Sequence, residues 1–235
     1  MKRKIFIGFK VLFFIPLFLI STKNAFADQL WPAQVGDRYE YNTHDSANPQ
    51  NAWTTRLDFG STTTLGGQEY LNVARMDFIE GGAVLGTSSW YGRFTENAVY
   101  SYGMAGNNYE TLDFQAALVG TTWSVPFTVG GIAGNRITEI MPFEQVNVPY
   151  GTFNSAYVYK TYFDPTSSSL SNSPYWYEYV VPGVGYVKQV NYWTSNYPTT
   201  LELASVTPEP ASMLLFGLGG VSFGFFRRLK RKKVA

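Results

Sequence analysis

The chain of 235 residues contains no cysteine, one histidine and few charges. Without cysteine there is no disulfide framework, no thiol nucleophile and no thiolate metal site. A single histidine excludes a zinc centre built from several imidazoles of one chain. That residue, His44, ends a strand-like pattern beside Asp45, and no Gly-x-Ser-x-Gly elbow occurs between residues 28 and 206. It is expected as an exposed loop residue, not as the base of a triad. No glycine-rich phosphate loop precedes a helical pattern. Asn42, Asp45, Asn48 and Asn51, and likewise Asn107, Asn108 and Glu110, lack the regular acidic spacing of a calcium loop and read as turn formers. No cofactor or metal is therefore expected. Charged residues make up 15%, against about 25% in an ordinary globular chain, while 45% hydrophobic residues exclude a disordered one.

The net charge of +1 conceals a segregation. Five of the 18 cations lie in residues 1–27 and six in the last nine residues, which leaves seven against sixteen acids over 28–206, a net −9. A domain this acidic is not expected to bind nucleic acid, whose affinity comes largely from Lys and Arg on phosphates. The N-terminus has a basic start, an apolar stretch from Val11 to Ile20 and then Ala25-Phe26-Ala27 before Asp28. These are the three parts of a secretory signal peptide, with small side chains at Ala25 and Ala27 for signal peptidase and a mature chain beginning at Asp28. An uncleaved anchor is the alternative, since the apolar part can be extended back to Ile5.

At the other end Pro208-Glu209-Pro210 precedes sixteen uncharged residues, 211–226, and then Arg227, Arg228, Lys230, Arg231, Lys232 and Lys233. As a helix, 211–226 spans about 24 Å at 1.5 Å per residue, and flanking Arg and Lys can snorkel to complete the crossing. The basic cluster stays cytoplasmic by the positive-inside rule, so the middle of the chain lies outside the inner membrane. The order of motif, short apolar helix and basic tail resembles the PEP-CTERM sorting signal of Gram-negative bacteria. That resemblance implies an exosortase as processing partner, a membrane-embedded protease and transpeptidase. It would remove the helix near the motif and release or attach the protein at the cell surface. A plain single-span anchor is the alternative.

Residues 28–206 have the size of one domain and show no internal linker or repeat. All 17 Tyr and all six Trp fall there, with eight Phe. Tyr, Trp, Thr and Val suit half-buried pleated surfaces. Alternation between turn residues predicts strands over 38–44, 53–59, 68–78, 84–95, 98–102, 121–127, 135–148, 152–164, 175–181, 185–192 and 199–205. Gly66-Gly67 and Glu96-Asn97 are candidate tight turns. A weakly helical patch is expected around Glu110–Leu118. The fold class is all-β: a single antiparallel, strongly curved sheet forming an open or half-closed barrel, set between the signal peptide (1–27) and the sorting region (207–235).

Four short motifs, Gly36–Tyr41, Val119–Trp123, Val148–Phe153 and Pro182–Lys188, resemble those of secreted bacterial β-domains of unknown function. The resemblance implies a bent sheet related in shape to periplasmic lipoprotein carriers. The aromatic alternation Tyr175-Trp176-Tyr177-Glu178-Tyr179 places Tyr175, Tyr177 and Tyr179 on one face. These rings are candidate contacts for sugar rings, or else fill the curved sheet. The resulting expectation is a non-catalytic, exported surface or matrix protein, with extracellular polysaccharide or envelope components as candidate partners. Biofilm material is the setting that the family resemblance implies. The alternatives are a carrier holding a lipid or apolar ligand in the half-barrel, and a secreted hydrolase using two carboxylates that converge in a cleft.

Overall fold

The computed structural model describes residues 29–207, except 47, 49, 104–107, 130–131, 166–173 and 193–197. The signal-peptide residues Ala25, Ala27 and Asp28 lie outside the described residues. So do Pro208–Pro210, the apolar segment 211–226, the basic tail from Arg227 to Lys233, and Asn107. Among the described residues no helix is long and apolar enough to cross a membrane.

Twelve strands form one sheet: β1 (Arg38–Asp45), β2 (Ala52–Leu65), β3 (Gln68–Ile79), β4 (Val84–Phe94), β5 (Ala98–Tyr102), β6 (Glu110–Gln115), β7 (Thr122–Val129), β8 (Ile132–Val148), β9 (Gly151–Pro165), β10 (Tyr175–Val181), β11 (Gly185–Tyr192) and β12 (Thr199–Thr207). The order is β6-β5-β4-β3-β2-β1-β12-β11-β10-β9-β8-β7, and every pairing is antiparallel. Each strand pairs with its sequence neighbours, save that β1 pairs with β12 while β6 and β7 stand at opposite edges. Curvature then brings those edges together into a nearly closed barrel, further than an open or half-closed sheet. Side chains span the seam where no ladder does. Trp123 Nε1 donates to Leu112 O at 3.2 Å, Arg136 Nη2 to the same oxygen at 2.9 Å, and the Tyr159 hydroxyl to Gln115 O at 2.9 Å.

Gly66 and Gly67, both at positive φ, make the β2–β3 turn, since two consecutive left-handed residues are cheap only for glycine. Residues 110–115 are strand β6, not the expected weakly helical patch. Pairing with β5 and burial of Thr111 and Phe114 outweigh a local pattern with little preference of its own. His44 lies within β1 and is half-buried, instead of exposed in a loop, because the strand runs one residue further and pairs it with Thr200 and Ala52.

One end of the barrel is closed from within. The segment before β1 enters with Leu30, Trp31 and Ala33, and is held by Leu30 N–H on Glu96 O (2.9 Å) and Gly183 N–H on Gln29 O (2.7 Å). Trp31 stacks on Tyr186 (5.8 Å, 13°) and meets Tyr39, Phe59 and Phe94 edge-on. Gly185, at φ 102°, passes so close that a Cβ would collide with the Trp31 indole. The long β8–β9 hairpin, bent by register shifts between Met141 and Val146, reaches back until Tyr150 N–H meets Leu203 O of β12 at 2.9 Å. The Gly36–Tyr41, Val148–Phe153 and Pro182–Lys188 motifs all gather at this end.

Candidate functional site

The barrel encloses a cavity of about 270 Å³. Its wall toward the closed end is apolar: Trp31, Leu57, Phe59, Phe94, Val99, Phe114 and Tyr186. Further along, the same alternating positions become polar. Thr55, Arg75, Asp113, Arg136, Thr138, Thr161, Glu178, Gln189 and Asn191 face inward there beside Trp90 and Trp176.

Arg136, on β8 and only 7% exposed, pairs with Asp113 across the seam (Nη2–Oδ1 2.7 Å), and its guanidinium lies 5.6 Å from the Phe127 ring centroid. Two charges withdrawn from water are tolerable when they answer each other and a backbone carbonyl, as here. The Nε of Arg136 and the Oδ1 of Asn191 are both buried and have no hydrogen-bond partner among the described residues. Arg75 donates through Nε and Nη2 to Asp77 Oδ1 at 3.2 Å each, and Thr55 donates to that oxygen at 2.6 Å. Glu178 faces the cavity and is half-buried. Burial pushes its carboxyl up to about 7, while attraction to Arg136 and hydrogen bonds from Trp176 and Thr161 pull the other way and Asp113 adds repulsion.

The tyrosine face singled out from the sequence lies on the other side of β10. Tyr175 stacks on Tyr192 (4.7 Å, 13°), and Tyr177 meets both rings edge-on at 6.1 and 6.3 Å. All three are half-buried. Tyr179 packs against the core, its hydroxyl pushed up to about 12 by burial and by Glu144, with Tyr177 and Tyr192 adding to it. Sequence reasoning therefore marked the outward rings and passed over Trp176 and Glu178, which alternate with them and line the cavity. Arg136 and Asp113 were equally unmarked; an arginine alternating with Thr138 and Ile140 along an otherwise apolar row was the available signal. Of the acids, Asp113 and Glu178 line this cavity, and Asp113 is already held by Arg136. No group of three or more acids and histidine stands together as a metal site among the described residues.

Residues 206–232 match the family described as the PEP-CTERM protein-sorting motif. The chain carries an exported protein's PEP-CTERM sorting signal. That motif implies processing by an exosortase. No curated protein matches the chain. Two solved structures share the barrel. One is a protein of Parabacteroides distasonis described as a lipoprotein, 14% identical with a TM-score of 0.53. The other is a Bacteroides fragilis protein described as exported and with a YmcC-like fold, 13% identical with a TM-score of 0.52. Each likeness covers 77% of this chain and 99% of the other. At such identities the likeness establishes the fold of this chain and nothing of its ligand.

Proposed function

We propose that this PEP-CTERM protein is a non-catalytic binding protein whose barrel holds a small amphipathic molecule, and that the sorting signal delivers it to the cell surface or the extracellular matrix. The observation that carries this reading is the cavity itself, about 270 Å³ with rings at one end and polar side chains at the other. Empty space of that size would hold about nine waters at ~30 Å³ each, and the ring-lined half of its wall offers them few hydrogen bonds. Both ends of the domain lie at the closed end, since Arg38 opens β1 and pairs with Thr207 at the close of β12. A domain tethered through 207–235 would thus present its polar half away from the attachment point. In this reading signal peptidase cuts after Ala27 and exosortase removes the helix at 211–226.

The test is native mass spectrometry of the protein recovered from the host's envelope and medium. The expected result is a chain from Asp28 to the region of Pro208–Pro210, with a small molecule that leaves on denaturation. A bare chain that also excludes a polarity-sensitive apolar dye would overturn the binding reading. A chain running to Ala235 in the inner membrane would overturn surface delivery. Turnover of an offered glycoside would replace the non-catalytic assignment with the two-carboxylate one. A second reading, adhesion to polysaccharide through the outer face, is favoured by the Tyr175–Tyr177–Tyr192 group.

A further inference from the structure

We infer that the polar half of the cavity is a head-group site for an uncharged molecule carrying several hydroxyls on an apolar body, with Arg136 Nε as donor and Asn191 Oδ1 as acceptor. The inference rests on the reading that the cavity holds a ligand. Two features of the wall select the head. The first is the hydrogen-bond inventory. Arg136 Nε is a buried donor and Asn191 Oδ1 a buried acceptor; neither has a partner among the described residues, although Arg136 Nη2 is satisfied by Leu112 O and Asp113. Trp31 Nε1 in the ring-lined half is a further buried donor without one. A hydroxyl both donates and accepts, so a head bearing more than one answers two such groups on walls set by β8 and β11.

The second feature is charge. The Arg136 charge is met by Asp113 and the Arg75 charge by Asp77. The remaining carboxyl, Glu178, keeps company with Trp176 and Thr161 and takes a proton readily in this surrounding. The wall is thus close to self-neutralised. A carboxylate or phosphate head would enter without a free counter-cation and beside two acids; an ammonium would compete with guanidiniums for acids already engaged. An uncharged hydroxylated head costs neither. Trp31, Phe59, Phe94 and Phe114 then receive the apolar body, which explains why polar and apolar walls meet in one cavity.

The experiment titrates the protein recovered from its host with n-octyl β-D-glucoside below its micelle threshold, with decanoate and with glucose. Fluorescence of the cavity tryptophans and the thermal midpoint are followed. The glucoside is expected to bind saturably and at least about tenfold more tightly than decanoate or glucose, because only it offers both head and body. Asn191→Leu should erase most of that preference while leaving decanoate binding unchanged. Arg136→Lys, which retains a cation opposite Asp113 but lacks the Nε donor, should weaken the glucoside alone; if it fails to fold, Asn191→Leu still decides. Equal or tighter binding of decanoate, or a preference untouched by Asn191→Leu, would overturn the head-group inference and leave the cavity reading standing. Exclusion of all three probes and of an apolar dye would overturn both. An arm with a diacyl glycolipid in vesicles separates a membrane source from a free glycoside.

Discussion

The two halves of the barrel interior are built from the same alternating positions of the same strands, yet they are finished differently. Toward the closed end the inward positions are rings and aliphatic side chains, and Trp31 from the N-terminal segment packs among them and closes the cavity's floor. Toward the other end the inward positions carry two ion pairs, a row of threonines and the unpartnered Arg136 Nε and Asn191 Oδ1, facing the same cavity. Rings packed at 5–6 Å are a stability device. Charges brought inside a barrel are not, because the desolvation they suffer is repaid only in part. A chain that could have continued its aromatic filling and instead placed Arg136, Asp113 and Glu178 there has gained something other than stability.

Removing the filling of the closed half should give the largest effect. Trp31→Ala deletes a 6%-exposed indole that touches four other rings and underlies Gly185. The expected loss is about 3–5 kcal/mol, as for other large-to-small changes in a packed core. Chemical denaturation should show an earlier midpoint, and the cavity should admit larger apolar probes than before. A loss below about 1 kcal/mol would mean that the N-terminal segment is not part of the core, and the contrast between the two halves would fail.

The polar half should reveal itself through pH. The folded-state pKa of Glu178, about 7, lies above its ordinary value of 4.5, so the folded protein holds this proton more tightly than the unfolded chain. The stabilisation is fully present below about pH 4.5 and is lost as pH rises through 7, amounting to about 1–3 kcal/mol. The groups that set it are Arg136 on β8, Asp113 on β6, Thr161 on β9 and Trp176 on β10. Glu178→Gln should flatten this dependence, leaving a protein at pH 8 at least as stable as the parent. The measurement is the denaturation midpoint from pH 4 to 9 for both proteins. A parallel pair of curves would show that Glu178 is no more than an ordinary carboxylate.

Much of this contrast was beyond the reach of the sequence, for a physical reason. The strands themselves were legible: 98–102, 175–181 and 185–192 stand in the structure with the expected ends, and the turns at Gly66-Gly67 and Glu96-Asn97 follow from residues that accept tight geometry. What alternation cannot say is which of two faces becomes the inside. Along β10 both faces carry rings, so Tyr175 and Tyr177 drew attention while Trp176 and Glu178 went to the interior. Strand β6 was hidden because an edge strand of six residues is defined by its partner, here β5, more than by its own pattern. The meeting of Asp113 with Arg136 depends on the sheet closing on itself, since the two sit on opposite sides of the seam.

The smallest structural effect, and the sharpest division between inside and outside, is expected at Tyr177. Its ring lies half-exposed on the outer face, edge-on to Tyr175 and Tyr192 and opposite Lys160 in the β9 register. Tyr177→Ala loses two ring contacts and opens no internal space, so stability should change by only about 1 kcal/mol. Binding within the cavity should not change, because the sheet separates Tyr177 from Trp176 and Glu178. Retention on a column of host polysaccharide is the informative reading. If it falls while probe binding inside the barrel persists, the protein has two faces with two tasks, an outer one that adheres and an inner one that holds a small molecule. If retention is unchanged, the tyrosine face only shields the sheet, and recognition belongs to the interior.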